Sequence, residues 1–172
     1  MGYMAAPLSR AKIRYFAASM RKFFCVESKL YVPIVRILEY IPQVVDGANF
    51  EIVGAEELDD GEHAVTELTT RTIKIRQDVY DNACKGSGRD RMTIAHEIAH
   101  LFLLCVFGVG LARSFCEIER IPAYRNPEWQ AKCLAGEFMM GANLVSGMDA
   151  SDVALECGVS LDAARYCLSK LK

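Results

Sequence analysis

The stretch Arg91-Met92-Thr93-Ile94-Ala95-His96-Glu97-Ile98-Ala99-His100 places two imidazoles four residues apart, with a carboxylate directly after the first. On an α-helix, positions i and i+4 are offset by about 40° and by about 6 Å along the axis, so both rings reach one ion from the same face. Glu97 lies about 100° round from His96, off the metal but within reach of a water bound there, where it serves as a general base. The pattern predicts a hydrolytic zinc site with His96 and His100 as metal ligands and Glu97 as the catalytic carboxylate. The chain holds three histidines and thirteen glutamates, and chance would supply one such pair with Glu in second place roughly three times in a thousand. The plainer alternative is a core helix with two hydrogen-bonded histidines, since Met92, Ile98, Ala99, Leu101 and Leu103 bury this helix in either case. Against it stands the cost of burying two imidazoles without a strong partner.

At 172 residues and 52% hydrophobic, the chain suits one compact domain with its own core. Residues 1–45 read as N-terminal helices, 46–145 as a sheet plus zinc-site helices, and 146–172 as a helical tail. A formal net charge of −2 argues against a general nucleic-acid or membrane binder. The charge is uneven: residues 1–40 are net positive, whereas eight acids and no Lys or Arg lie between Ile41 and Glu67, a segment that reads as a solvated acidic loop. Seven cysteines, an odd number with no C-x-x-C among them, point to reduced thiols and a cytoplasmic setting. Neither a signal peptide nor a membrane span is expected, the apolar run Leu101 to Ala112 being too short to cross a bilayer.

Taken in order, Ser9 reads as the N-cap of an amphipathic helix with Ile13, Phe16, Ala17, Met20, Phe23 and Phe24 inward and Arg10, Lys12, Arg14, Arg21 and Lys22 outward. Pro33 opens a second helix to about Tyr40, which Pro42 breaks. Phe50–Val53, His63–Leu68 and Thr72–Arg76 are short, β-branched and alternating, and predict a small three-stranded sheet. With the last strand at the sheet edge beside the zinc helix, Ile73, Lys74 and Ile75 would offer free backbone groups to an extended peptide; an ordinary edge guarded by charges is the alternative. Asp78 to Cys84 reads as a short helix, Asp90 as the cap of the zinc helix, and Gly108 to Asn126 as irregular.

A catalytic zinc takes a third protein ligand. His63, the remaining histidine, reads better as a surface or hydrogen-bonded group. Asn126-Pro127 is an N-cap followed by proline at the first helical position, and the helix carries Ala131, Ala135, Phe138, Met139 and Ala142 on one stripe. Glu128 falls on that stripe, where a carboxylate needs a partner. It is the preferred third ligand, with Glu117 and Glu119 as alternatives; Glu137, about 180° round, is expected to face solvent.

Three segments, Ile75-Arg76-Gln77-Asp78-Val79-Tyr80, Gly88-Arg89-Asp90-Arg91-Met92-Thr93-Ile94-Ala95-His96-Glu97 and Ile121-Pro122-Ala123-Tyr124-Arg125-Asn126-Pro127-Glu128-Trp129-Gln130-Ala131, resemble the ImmA/IrrE family of metallopeptidases over about residues 50 to 170. The resemblance implies an α+β, zincin-like fold: a small sheet packed on the HExxH helix, then the helix carrying the third ligand, Glu128, and a small helical, helix-turn-helix-like cap. It also implies a zinc endopeptidase whose protein substrate is a helix-turn-helix repressor of a bacterial mobile element or stress regulon. Lys132 and Leu134 stand where the family usually has Asn or Asp and Phe, and Met139-Met140-Gly141 replaces its Leu-Met-Pro ending. Lys132, about 40° round from Glu128, would set a cation near the site, which supports the alternative of a zinc-containing regulator that binds a repressor without cleaving it. Tyr80, Arg113, Tyr124 and Arg125 are candidates for the transition-state stabiliser. The tail reads as two helices, Asp152 to Cys157 and Leu161 to Leu171. With four acids against three bases from Asp149 to Lys172, it is a poor DNA-binding element and a better structural cap.

Overall fold

The structure is a computed structural model that describes residues 2–114 and 121–171. Its class is α+β. In chain order the main elements are β1 (Gly2–Ala5), α1 (Arg10–Phe23), α2 (Ile34–Val44), β2 (Asn49–Val53), β3 (Ala64–Glu67), β4 (Thr72–Arg76), α3 (Gln77–Cys84) and α4 (Gly88–Leu101). They are followed by β5 (Leu111–Ser114), α5 (Pro127–Met139), α6 (Ala142–Val145), α7 (Ala150–Cys157) and α8 (Leu161–Ser169). No helix among the described residues is long and apolar enough to cross a membrane.

Helix α4 lies at the centre, packed on α2, α3, α5, β3 and β4. Ile94, Ala95, Ile98, Ala99 and Leu101 are each at most 1% exposed, so this helix is buried around most of its circumference rather than along one stripe. Its cap is Ser87, not Asp90 as expected: the Ser87 hydroxyl accepts from the Asp90 amide and donates to the Asp90 carboxylate at 2.6 Å. Asp90 sits three residues inside, in the reciprocal position of a capping box. After Leu101 the helix continues as a π turn, Phe102–Val106, closed by the Phe107 amide on the Phe102 carbonyl at 2.8 Å.

The three-stranded sheet is present, in the order β2-β4-β3. Strand β4 is therefore central, and the expectation that Ile73, Lys74 and Ile75 form a free edge is overturned. Thr72, Ile73 and Ile75 are all buried, which fits a strand paired on both sides: parallel to β2, with Phe50 opposite Ile73, and antiparallel to β3, with Val65 opposite Lys74. Lys74 makes a cross-strand ion pair with Glu67 at 2.7 Å instead of guarding an edge. The edge beside α4 is β3. A second sheet, absent from the sequence reading, pairs β1 with β5 antiparallel, Tyr3 opposite Arg113 and Ala5 opposite Leu111.

Three further expectations change. Pro42 does not break α2 but lies inside its last turn, where buried Ile34, Ile37, Leu38 and Ile41 hold the helix against the loss of one backbone bond. Glu137 does not face solvent: it is 4% exposed and takes a bidentate pair from Arg14, both contacts at 2.9 Å, with Arg10 at 3.6 Å. Arg21, expected outward, is buried and donates to the carbonyls of Phe138, Val26 and Lys29.

Arg91, on α4, binds the tail to the core. Only 1% exposed, it donates to the carbonyls of Gly158 and Val32 at 2.8 Å each and to the Tyr31 hydroxyl, with its guanidinium over the Tyr31 ring. Gly158 ends α7 with φ +62, and a Cβ there would stand 2.6 Å from the Tyr31 ring. At Gly88 a Cβ would fall 2.4 Å from the Val159 backbone, so glycine admits the α7–α8 turn against the start of α4.

Arg91→Leu is expected to lower unfolding free energy by about 3 kcal/mol, because it orphans buried carbonyls as well as removing the cation. The exposed Lys12→Leu should stay within about 0.5 kcal/mol; urea melts of both variants check the contrast. Burial pushes the thiols of Cys133 and Cys167 up to about 11. In native protein at pH 8 they should resist a thiol-specific disulfide reagent that labels exposed Cys25 and Cys84, and react once the chain is unfolded.

Candidate metal centre

One turn of α4 carries His96 and His100, whose ring centroids are 4.7 Å apart and nearly perpendicular. Glu128 comes from the first turn of α5. That turn is fixed by Asn126, whose side-chain oxygen accepts from the Glu128 amide at 2.9 Å and the Trp129 amide at 3.2 Å, and by Pro127 at the first helical position.

The three side chains converge. The two Nε2 atoms are 3.1 Å apart, His96 Nε2 lies 3.1 Å from Glu128 Oε2, and His100 Nε2 lies 3.3 Å from Glu128 Oε1. This group could hold a metal ion. Tetrahedral coordination with bonds of about 2.0–2.1 Å sets ligand atoms about 3.3 Å apart, so the spacing and the nitrogen–oxygen donor set both fit. The imidazoles of His100 and His96 hold the Glu128 carboxyl well below the usual carboxylate range, which keeps it anionic at neutral pH.

Glu97 shares the turn but not the cluster. It is 8% exposed, and Thr66 Oγ1 on β3 lies 2.7 Å from its Oε2 and 3.0 Å from its backbone oxygen. One carboxylate oxygen is thus anchored by the edge strand. Glu97, His100 and Glu128 open on one cavity of about 510 Å³, walled by β3 on one side and by Tyr3 of β1 and Leu111 of β5 on the other.

The sequence reading placed His96, His100, Glu97 and Glu128 together, and the structure does the same. Its other residues disperse. Tyr80 donates its hydroxyl to Glu39 at 2.6 Å, which pushes its pKa above the ordinary phenol value. Tyr124 is half exposed and contributes its backbone carbonyl to Leu8 and Gln130. Arg125 reaches the Met4 sulfur at 3.9 Å. None of the three lines the cavity. Arg113 pairs through its backbone in β5, while its side chain, like Glu117 and Glu119, falls outside the described residues. His63 Nε2 is 3.0 Å from Arg89, a surface pairing as expected. Lys132 is exposed and lines a separate groove with Met92, Cys133 and Tyr166, so it sets no cation in the site.

Thr66, Tyr3, Glu62 and the apolar wall of Leu104, Leu111 and Ile121 were missed. Strand alternation could have set Thr66 and Ala64 on one face, but not which helix that face meets. No family model matches this chain, and neither a curated protein nor a solved structure does.

Wild-type chain is expected to bind one divalent transition-metal ion in isothermal titration calorimetry. Glu128→Ala should weaken that binding at least about tenfold, since two imidazoles alone leave the ion short of a ligand.

Proposed function

We propose that this chain is a zinc-dependent endopeptidase of the ImmA/IrrE type, acting on a helix-turn-helix repressor. The observation that carries the reading is the convergence of His96, His100 and Glu128 beside an anchored, nearly buried Glu97 at one cavity. A protonated imidazole nitrogen points its hydrogen along one direction only, so protons cannot serve all three short contacts equally well, whereas a cation at the common focus meets every lone pair. Two nitrogens and one carboxylate suit zinc better than magnesium or calcium, which favour oxygen alone.

When bound there, zinc would supply Lewis acidity at the scissile carbonyl and make a water molecule more acidic. Glu97 accepts the proton of the attacking water and delivers it to the departing amine nitrogen, so that amide and water become carboxylic acid and amine. Thr66 holds one carboxylate oxygen, leaving the other for this transfer. Strand β3, unpaired on its outer side among the described residues, suits the role expected of β4: its backbone groups can receive an extended substrate as an added strand. Tyr3 lines the cavity where Tyr80 and Tyr124 do not, and so takes their place as the tyrosine candidate for stabilising developing charge.

The repressor substrate rests on the resemblance alone. Non-catalytic binding of a repressor rested on Lys132, which lies in another groove.

Glu97→Gln should retain zinc yet cleave at least about a hundredfold more slowly than wild type, the usual worth of a positioned general base. Mass spectrometry of a repressor incubated with each zinc-loaded protein checks this. A variant that cuts as fast as wild type would remove the mechanism, and a wild type that cuts nothing would favour the binding alternative.

A further inference from the structure

The cavity that holds the metal group has two unequal faces. Leu104 lies four residues beyond His100, within the π turn, and reaches the same cavity as His100; Leu111 of β5 and Ile121 join it there. Val65 and Leu68 extend the apolar lining from the β3 side. The polar lining mixes the hydroxyls of Tyr3 and Thr66, the Asn126 amide and the His100 imidazole with three carboxylates. Glu62, Glu97 and Glu128 contribute carboxylates, and among the described residues no lysine or arginine lines the cavity. Glu97 and Glu128 belong to the metal centre, but Glu62 does not. It is half-buried, ends the acidic segment Glu56-Glu57-Leu58-Asp59-Asp60-Gly61-Glu62, and forms no ion pair among the described residues.

From this lining we infer that the cleft selects an extended peptide segment with an aliphatic side chain for the Leu104–Leu111–Ile121 wall and a lysine or arginine two positions along for Glu62. The inference rests on the endopeptidase reading and adds the substrate's local chemistry to it. The free edge of β3 fixes the peptide as extended, because only a strand matches its unpaired backbone groups, and alternate side chains of such a strand point into the cavity. A volume of about 510 Å³ is of a size for a few residues of peptide and within the range of ligand sites. Glu62, the lining carboxylate outside the metal centre, favours a basic side chain facing it and disfavours an acidic one. Segments of this composition, basic with interspersed aliphatic residues, occur on proteins that bind nucleic acid.

The test uses the full chain carrying Glu97→Gln, loaded with zinc, and fluorescently labelled capped heptapeptides read by anisotropy. One peptide has a central Leu with Lys two positions to either side, so that all three side chains share a face; a second replaces Leu by Ser; a third replaces both Lys by Glu. The first should bind at least about tenfold more tightly than the second, the discrimination expected of an apolar pocket. It should also bind more tightly than the third, by a margin that shrinks in 0.5 M salt as charges are screened (Debye length roughly 4–5 Å). Leu104→Ser in the same background should erase the Leu preference while leaving the Lys preference. Equal binding of the Leu and Ser peptides, equal binding of the Lys and Glu peptides, or no binding of any would overturn the inference. Wild-type protein, zinc-loaded, is then given the Leu peptide: discrimination in binding with no cleavage would uphold the cleft and dispose of the protease reading instead.

Discussion

Helix α4 is enclosed on most sides and yet carries Arg91, His96, Glu97 and His100, and the rest of the molecule is arranged to satisfy that contradiction. A buried polar group without a partner costs about 1–3 kcal/mol in typical proteins and a buried charge more, so buried Arg91 and Glu97 with two partly buried imidazoles on one helix would consume much of a domain's stability. Each is answered from a different direction. Arg91 is met by the loop before α2 and by the end of α7, Glu97 by β3, and the two histidines by the first turn of α5.

Those answers also fix the architecture. The carbonyls that receive Arg91 come from residues about 60 positions to either side in sequence, so the tail and the N-terminal helices are held to the same cation. Helix α5 repeats the arrangement at smaller scale: Glu128 faces the histidines at one end, and Glu137 faces Arg14 and Arg10 near the other. The small sheet matters less for its area than for its edge, because β3 supplies both the hydroxyl that steadies Glu97 and the open backbone beside it.

What could be read in the sequence was what is local. The spacing of His96 and His100, the Asn126-Pro127 cap and the position of Glu128 on its helix are matters of a few residues, and helical geometry transmits them directly into space. The order β2-β4-β3 was not legible, since three similar β-branched segments carry no mark of which lies in the middle. Nor was the β1–β5 pair, two four-residue strands over a hundred residues apart, too short for an alternating pattern to stand out. Glu137 shows a subtler limit. A helical wheel gave its angle from Glu128 correctly, but α5 is buried nearly all round, so the far side met α1 instead of water. The ligands were legible and the walls were not, because ligands sit on one element or two and walls need five.

The π turn after His100 separates the two histidines and Glu97 from Leu104, the stretch of cleft wall carried on the same helix. A π turn is an α-helix with one residue more than its phase allows, and this one begins directly after the last residue of α4. Loss of one residue within Phe102–Val106 would restore the ordinary helical register and swing the rest of that turn by about 100°, while His96, Glu97 and His100 upstream kept their places. His96, Glu97 and His100 thus stand on one side of a phase break and Leu104 on the other, where a single-residue insertion or deletion can re-aim that part of the cleft wall without moving the three side chains before it.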